Sequence, residues 1–169
     1  PLKAWRLVHA RWQTTSLSGE GAALFPGRWN MAGERMVYMA DSLALAVLET
    51  LVHLEVTATA EPYTAIEFSL PDEAIEPVHP VPAGWQHDIT ITRQFGSEWL
   101  RAGKSLTLRV PSAIVPAGEN LLIDPTHTSA SHVNVLRTLP FRWDPRLFSP
   151  MRARRRPLAQ RTRFKPRSR

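Results

Sequence analysis

The chain has 169 residues, 43% of them hydrophobic, with no cysteine and a net charge of +6. That composition predicts one globular domain with its own core. It excludes a disulfide scaffold, thiolate metal sites and a cysteine nucleophile, and no apolar run approaches the ~20 residues of a membrane-spanning helix. The positive charge is local: residues 151–169 hold nine bases and no acid, which leaves residues 1–150 with 12 bases against 15 acids, a net of −3 that does not suit a nucleic-acid-binding body.

Residues 5–10 (WRLVHA) read as a short strand, and no basic segment leading into an apolar one precedes them. No signal peptide is therefore expected, and a cytoplasmic location with no membrane partner is. Residues 13–34, rich in Ser, Thr and Gly, read as one long loop, a length that is uncommon in a compact domain and often functional. The loop ends in Gly27-Arg28-Trp29-Asn30. A glycine lets backbone approach a ligand closely, and a guanidinium beside it can grip phosphate or carboxylate through two bonds. A plain turn carrying a surface Arg fits these four residues as well.

MVYMA at 36–40 suits a buried strand. Tyr38 in its middle is either core, with its hydroxyl bonded to backbone, or a flat surface on which a planar ring could stack. Asp41 and Ser42 are good caps for the Leu- and Ala-rich run 43–54, a helix. Glu49 lies in a stretch that is otherwise apolar except for Thr50, a pattern that predicts a buried helix. A carboxylate there needs a partner, and Arg28 is one candidate. It is either half of a structural ion pair or at a locally exposed edge, or it is a catalytic or ligand-binding group.

Residues 63–70 alternate as a half-buried strand, with Thr64, Ile66, Phe68 and Leu70 on one face. Residues 71–88, with four prolines, read as loop. Thr90 or Thr92 caps a helix over roughly 93–102 with Phe95, Trp99 and Leu100 inward. Leu106, Leu108 and Val110 mark another strand, 113–115 and 120–123 two more, and 132–136 a last one before PFRWDPRLF. Strands outnumber helices without regular alternation, so the fold class expected is α+β in a single domain. The arginine-rich residues 151–169 form a separate tail with the composition of a disordered segment. The histidines lack metal-ligand spacing, and Ser112 has no nucleophile-elbow context, so neither a metal nor a serine hydrolase is expected.

Taken together, WRLVHA, FPGRWN, VYMADSLALAVLETLVHL, VPSAIVP with ENLLIDP, and FRWDPRLF resemble, in that order, the RES domain, the toxin half of bacterial RES–Xre toxin–antitoxin pairs. The likeness runs from about residue 5 to residue 148. It departs in two places: Pro26-Gly27 stands where the family commonly has Gly-Gly, and the chain continues well past RLF. The resemblance implies an ADP-ribosyltransferase-like fold, with a mixed or antiparallel sheet and a few helices. It implies consumption of NAD⁺ as substrate, with no separate cofactor and no metal.

By motif, the resemblance implies Arg28, Tyr38 and Glu49 as catalytic residues and Arg6, Trp29, Asn30 and Ser112 as substrate-binding ones. It implies Glu49 on the ribose hydroxyls, the Tyr38 ring against nicotinamide, and Arg28 with Arg6 at the pyrophosphate. On that reading Tyr38→Phe should cost less than Tyr38→Ala, since stacking needs only the ring. It implies an Xre-like helix-turn-helix antitoxin as partner, with DNA bound only through that antitoxin, and leaves room for a homodimer within the complex. Water as acceptor makes a glycohydrolase, phosphate a phosphorylase, and a side chain a protein ADP-ribosyltransferase. A non-catalytic binding module on the same fold stays open, as does nucleic-acid binding driven by the tail.

Overall fold

The structure, a computed structural model, describes residues 1–54, 61–72, 75–76 and 80–148. The basic tail and the domain boundary expected at residue 150 lie outside the described residues. Seven strands among them form one sheet: β1 (Leu2–His9), β2 (Val37–Ala40), β3 (Tyr63–Leu70), β4 (Ile75–Glu76), β5 (Thr107–Pro111), β6 (Glu119–Ile123) and β7 (Asn134–Phe141). The order is β4-β5-β6-β2-β1-β3-β7, antiparallel throughout except for β4 with β5. With the helices α1 (Glu20–Leu24), α2 (Leu43–Leu51) and α3 (Ile89–Ala102), this is the α+β class expected. No helix among the described residues is long and apolar enough to cross a membrane.

Both faces of the sheet are covered. On one, α2 sets Leu45 and Ala46 against Trp5, Leu7, Ala40 and Ala65, while Trp99 of α3 joins Trp29 and Trp85 over Leu108, Val110 and Leu122. On the other, Ala4, Val37, Ile66, Phe68 and Leu121 lie under Leu17, Ala130 and Val133. Residues 63–70 are accordingly buried on both faces, not half-buried: only Ser69 in β3 is partly exposed.

Several local expectations need correction. The loop 13–34 contains α1. Residues 113–115 form a bend between β5 and β6 and not a strand, tied by the Ser112 amide to the Gly118 carbonyl. The helix expected over 93–102 starts at Ile89, because Asp88 caps it by accepting from the Thr90 amide at 2.8 Å, and Thr92 is fully buried inside it. The last strand begins at Asn134 and runs to Phe141, with residues 128–132 in a 3₁₀ turn. α2 is capped by Ser42 as expected but ends at Leu51, and it is not buried all round: Leu48 is 37% exposed, and Val52, the residue that follows the helix, 57%.

Candidate active site

α2 and α3 both cover the face of the sheet that carries Trp5, Ala40 and Leu122, and the candidate residues other than Arg6 collect there. The β2–β6 register pairs Tyr38 with Leu122 and Ala40 with Asn120. Tyr38 and Asn120 are therefore diagonal neighbours on one face, a separation of about 7–8 Å for such positions. Asn120 leads to Glu49, and Tyr38 leads to the Gly27–Asn30 loop.

Glu49, on α2, is half-buried. Its Oε1 accepts from Ser112 Oγ at 2.7 Å and from Asn120 Nδ2 at 2.6 Å. Among the described residues Oε2 accepts no hydrogen bond and no cation pairs with the carboxylate, so the Arg28–Glu49 ion pair considered above is not formed. Glu67 shows what a structural carboxylate looks like in this chain. It is 5% exposed and held by Arg137 Nε at 2.5 Å and Lys3 Nζ at 3.6 Å. Glu49 is instead oriented by two neutral donors that leave its charge uncompensated and one oxygen open, an arrangement that suits developing positive charge in a ligand.

Ser112 is fully buried, and its hydroxyl is committed: it donates to Glu49 and accepts from the amides of Ile114 and Val115 at 3.1 and 3.0 Å. It fixes Glu49 from behind. Asn120, 8% exposed, was missed in the sequence, although a polar residue inside the buried run ENLLI is a signal.

The loop is built from its backbone outward. Asn30 is fully buried; its Oδ1 accepts from the Gly27 amide at 2.9 Å and from the Tyr38 hydroxyl at 2.7 Å, and its Nδ2 donates to the carbonyls of Ala22, Met31 and Glu34. Trp29 is 1% exposed; its ring packs in the core and its amide donates to the Tyr38 hydroxyl at 3.0 Å. Trp29 and Asn30, expected to touch substrate, serve instead as internal struts in this structure: the indole packs among aromatic rings, and every polar atom of the Asn30 carboxamide is already bonded. Gly27 serves Tyr38 as much as any ligand, because a Cβ there would stand 2.6 Å from the tyrosine hydroxyl.

Arg28 remains half-exposed, and among the described residues its guanidinium has one hydrogen-bond partner, the Trp85 carbonyl at 3.2 Å. Its other donors face no carboxylate. Arg93 on α3, which the sequence reading passed over, clamps the loop by donating to the carbonyls of Gly27 and Pro26 at 3.0 and 3.2 Å. Arg6 is not brought together with Arg28. Strand alternation puts it with Ala4 and Val8 on the opposite sheet face, where Nη1 donates to the Tyr38 carbonyl at 3.1 Å and Nε is buried without a partner. Burial lowers its pKa to about 10, which leaves it charged at neutral pH. Burial also holds the Tyr38 hydroxyl above its ordinary pKa, so it stays protonated as a donor to Asn30.

This geometry changes the expectation for Tyr38→Phe. The ring survives, but the Trp29 amide and Asn30 Oδ1 each lose a partner, a cost of about 1–3 kcal/mol. A thermal melt should show a clear fall for Tyr38→Phe; a melt unchanged from wild type would mean that the hydroxyl does not hold the loop.

Among the described residues no cluster of three His, Asp or Glu could hold a metal. Residues 3–144 match the RES domain. The chain is 36% identical over 148 residues to a protein named Toxin Res from Yersinia enterocolitica, covering 85% of this chain and 97% of that one. It is 38% identical over 152 residues to the Prs ADP-ribosylating toxin of a Sphingobium species, covering 85% and 94%. In three dimensions it is similar, with a TM-score of 0.67 and 18% identity over 83% of this chain and 84% of the other, to a chain in the crystal structure of the M. tuberculosis MbcT–MbcA toxin–antitoxin complex.

Proposed function

The chain belongs to the RES family, and on that premise we propose that it is the toxin of a toxin–antitoxin pair and cleaves the bond between nicotinamide and ribose in NAD⁺, with water or phosphate as acceptor. The observation that carries this reading is Glu49: a carboxylate aimed by two neutral donors, with one oxygen open, on the same sheet face as Tyr38.

The chemistry follows from the leaving group. When the glycosidic bond of NAD⁺ breaks, its electron pair goes to the pyridinium nitrogen and nicotinamide departs neutral. The ribose carbon gains oxocarbenium character, as in glycoside cleavage. Little proton transfer is needed. Glu49 Oε2 accepts from a ribose hydroxyl, and the carboxylate charge stabilises the cation. The Tyr38 ring lies against the planar nicotinamide, and the free donors of Arg28 pair with a phosphate. Arg93 and Asn30 keep that loop in place. A second reading, transfer of ADP-ribose to a protein side chain, draws support from the Sphingobium relative, named an ADP-ribosylating toxin. Both readings share the loss of nicotinamide.

An enzyme that destroys a central cofactor needs a restraint in the cell that makes it. We assign that part to an Xre-like helix-turn-helix antitoxin, which buries Arg28 and supplies the DNA contacts of the pair. Apolar surface flanks the site on both sides: Leu24 and Phe25, just before the loop, are 73% and 81% exposed, and Leu48 of α2 and Val52 just after it face outward. Large apolar groups exposed around a cleft suit a protein partner. Phe25→Asp should weaken the antitoxin complex about tenfold or more and leave NAD⁺ cleavage intact, while truncation after Pro150 should change neither. A titration of the complex with both variants checks this; undiminished affinity for Phe25→Asp, or a complex lost on truncation, would contradict it.

In cells, expression without the partner should deplete NAD⁺ and stop growth, and Glu49→Gln should restore both. Normal growth and NAD⁺ with folded wild-type protein present would count against the toxin reading.

A further inference from the structure

We propose that Asn120 is the second polar arm of the site, both positioning Glu49 and accepting a hydrogen bond from the nicotinamide ribose. This rests on the reading of the site as one that cleaves NAD⁺. The Asn120 Nδ2 lies 2.6 Å from Glu49 Oε1, and since a carboxylate only accepts, the amide nitrogen must be the group facing it. Its Oδ1 then points elsewhere, and it is buried with no hydrogen-bond partner. A buried amide oxygen left bare is costly and calls for a donor.

The neighbours do not supply that donor. Asn120 pairs with Ala40 of β2 and Val110 of β5, both apolar, and Ser112 spends its hydroxyl proton on Glu49. A ribose diol supplies it: one hydroxyl goes to the open oxygen of Glu49 and the adjacent hydroxyl to Asn120 Oδ1. Asn120 thereby selects a sugar with both hydroxyls free, a requirement that Glu49 alone does not impose.

Two variants test this. Asn120→Ala removes the acceptor. Deleting a single hydroxyl from the nicotinamide ribose of NAD⁺ should slow wild type about tenfold at the hydroxyl that Asn120 receives, and in Asn120→Ala that further penalty should vanish. Asn120→Asp keeps the shape. Its carboxyl can share one proton with Glu49 in place of the amide N–H, but two ionised carboxylates cannot sit there together.

The only titratable group bonded to position 120 among the described residues is Glu49. The neighbouring Glu119 alternates onto the other face, where it pairs with Arg109, and Asp41 accepts from the Glu119 amide. Asn120→Asp should therefore approach wild-type kcat at low pH and lose activity as pH rises and the shared proton leaves, a limb that wild type lacks. Melts taken at each pH separate this from unfolding. If wild type releases no nicotinamide from NAD⁺, this inference and the reading beneath it fall together. If wild type is active but the hydroxyl-deletion penalty persists in Asn120→Ala, or folded Asn120→Asp shows no such limb, the role of Asn120 alone is overturned.

Discussion

Glu49→Gln is expected to give a folded protein whose NAD⁺ cleavage is reduced by at least about a hundredfold, the scale of losing one preorganised electrostatic group in an active site. The substitution separates charge from shape. A glutamine oxygen can still accept from Ser112 Oγ and Asn120 Nδ2, the two donors that hold Oε1, so the internal bonds survive and the negative charge does not. Glu49→Ala tests less cleanly. It strands a buried hydroxyl and a buried amide, about 1–3 kcal/mol each, so lost activity could reflect lost structure. Arg28 does not enter this account, since it is not the partner of Glu49. Nicotinamide release measured beside a thermal melt checks the prediction; wild-type turnover by folded Glu49→Gln would remove Glu49 from the chemistry.

Gly96→Ala should be the most damaging small substitution away from the cleft. A Cβ at position 96 would lie 1.8 Å from the Trp29 carbonyl oxygen and 2.9 Å from its carbonyl carbon. Both are backbone atoms of the loop that Asn30 ties down, so they cannot swing aside. α3 must lift away, and Trp99, packed with Trp29 and Trp85, goes with it. Overpacking of this kind costs about 3 kcal/mol. The same displacement strains the bonds from Arg93 to Pro26 and Gly27 and from Ser97 to Glu34. Stability and activity should fall together, in contrast to Glu49→Gln, where activity falls alone. A Gly96→Ala protein that melts with wild type would show that the helix does not dock on the loop through this residue.

The sheet and its helices were legible because their signals are local. The Ser42 cap, the leucines of α2 and the alternation of residues 63–70 each specify an element without help from the rest of the chain. Arg28, Tyr38 and Glu49 could be singled out as a buried-type carboxylate, a guanidinium beside glycine and a tyrosine in an apolar strand. Their partners could not. Nothing in sequence says that Ser112 and Asn120, 63 and 71 residues away, meet Glu49 and Arg28 does not, because that choice is made by the β2–β6 register and the bend after β5. The same holds for Trp29 and Asn30: next to Arg28 in the chain, they turn inward because the loop needs struts. Gly96 was a readable signal passed over, since a glycine within a helix costs about 1 kcal/mol against alanine and usually marks close packing. The outward apolar residues of α2 misled for the opposite reason, since an exposed apolar face and a buried one have the same composition.

The central claim is that this chain breaks the nicotinamide–ribose bond of NAD⁺, and free nicotinamide is the product whichever acceptor takes the ribose. The most direct measurement is therefore nicotinamide released from NAD⁺ by purified protein, in plain buffer, with phosphate added, and with cell extract as a source of protein acceptors. The account predicts release in at least one of the three conditions with wild type and at least about a hundredfold less with folded Glu49→Gln. NAD⁺ left intact by folded wild type in all three, or release undiminished by Glu49→Gln, would contradict it.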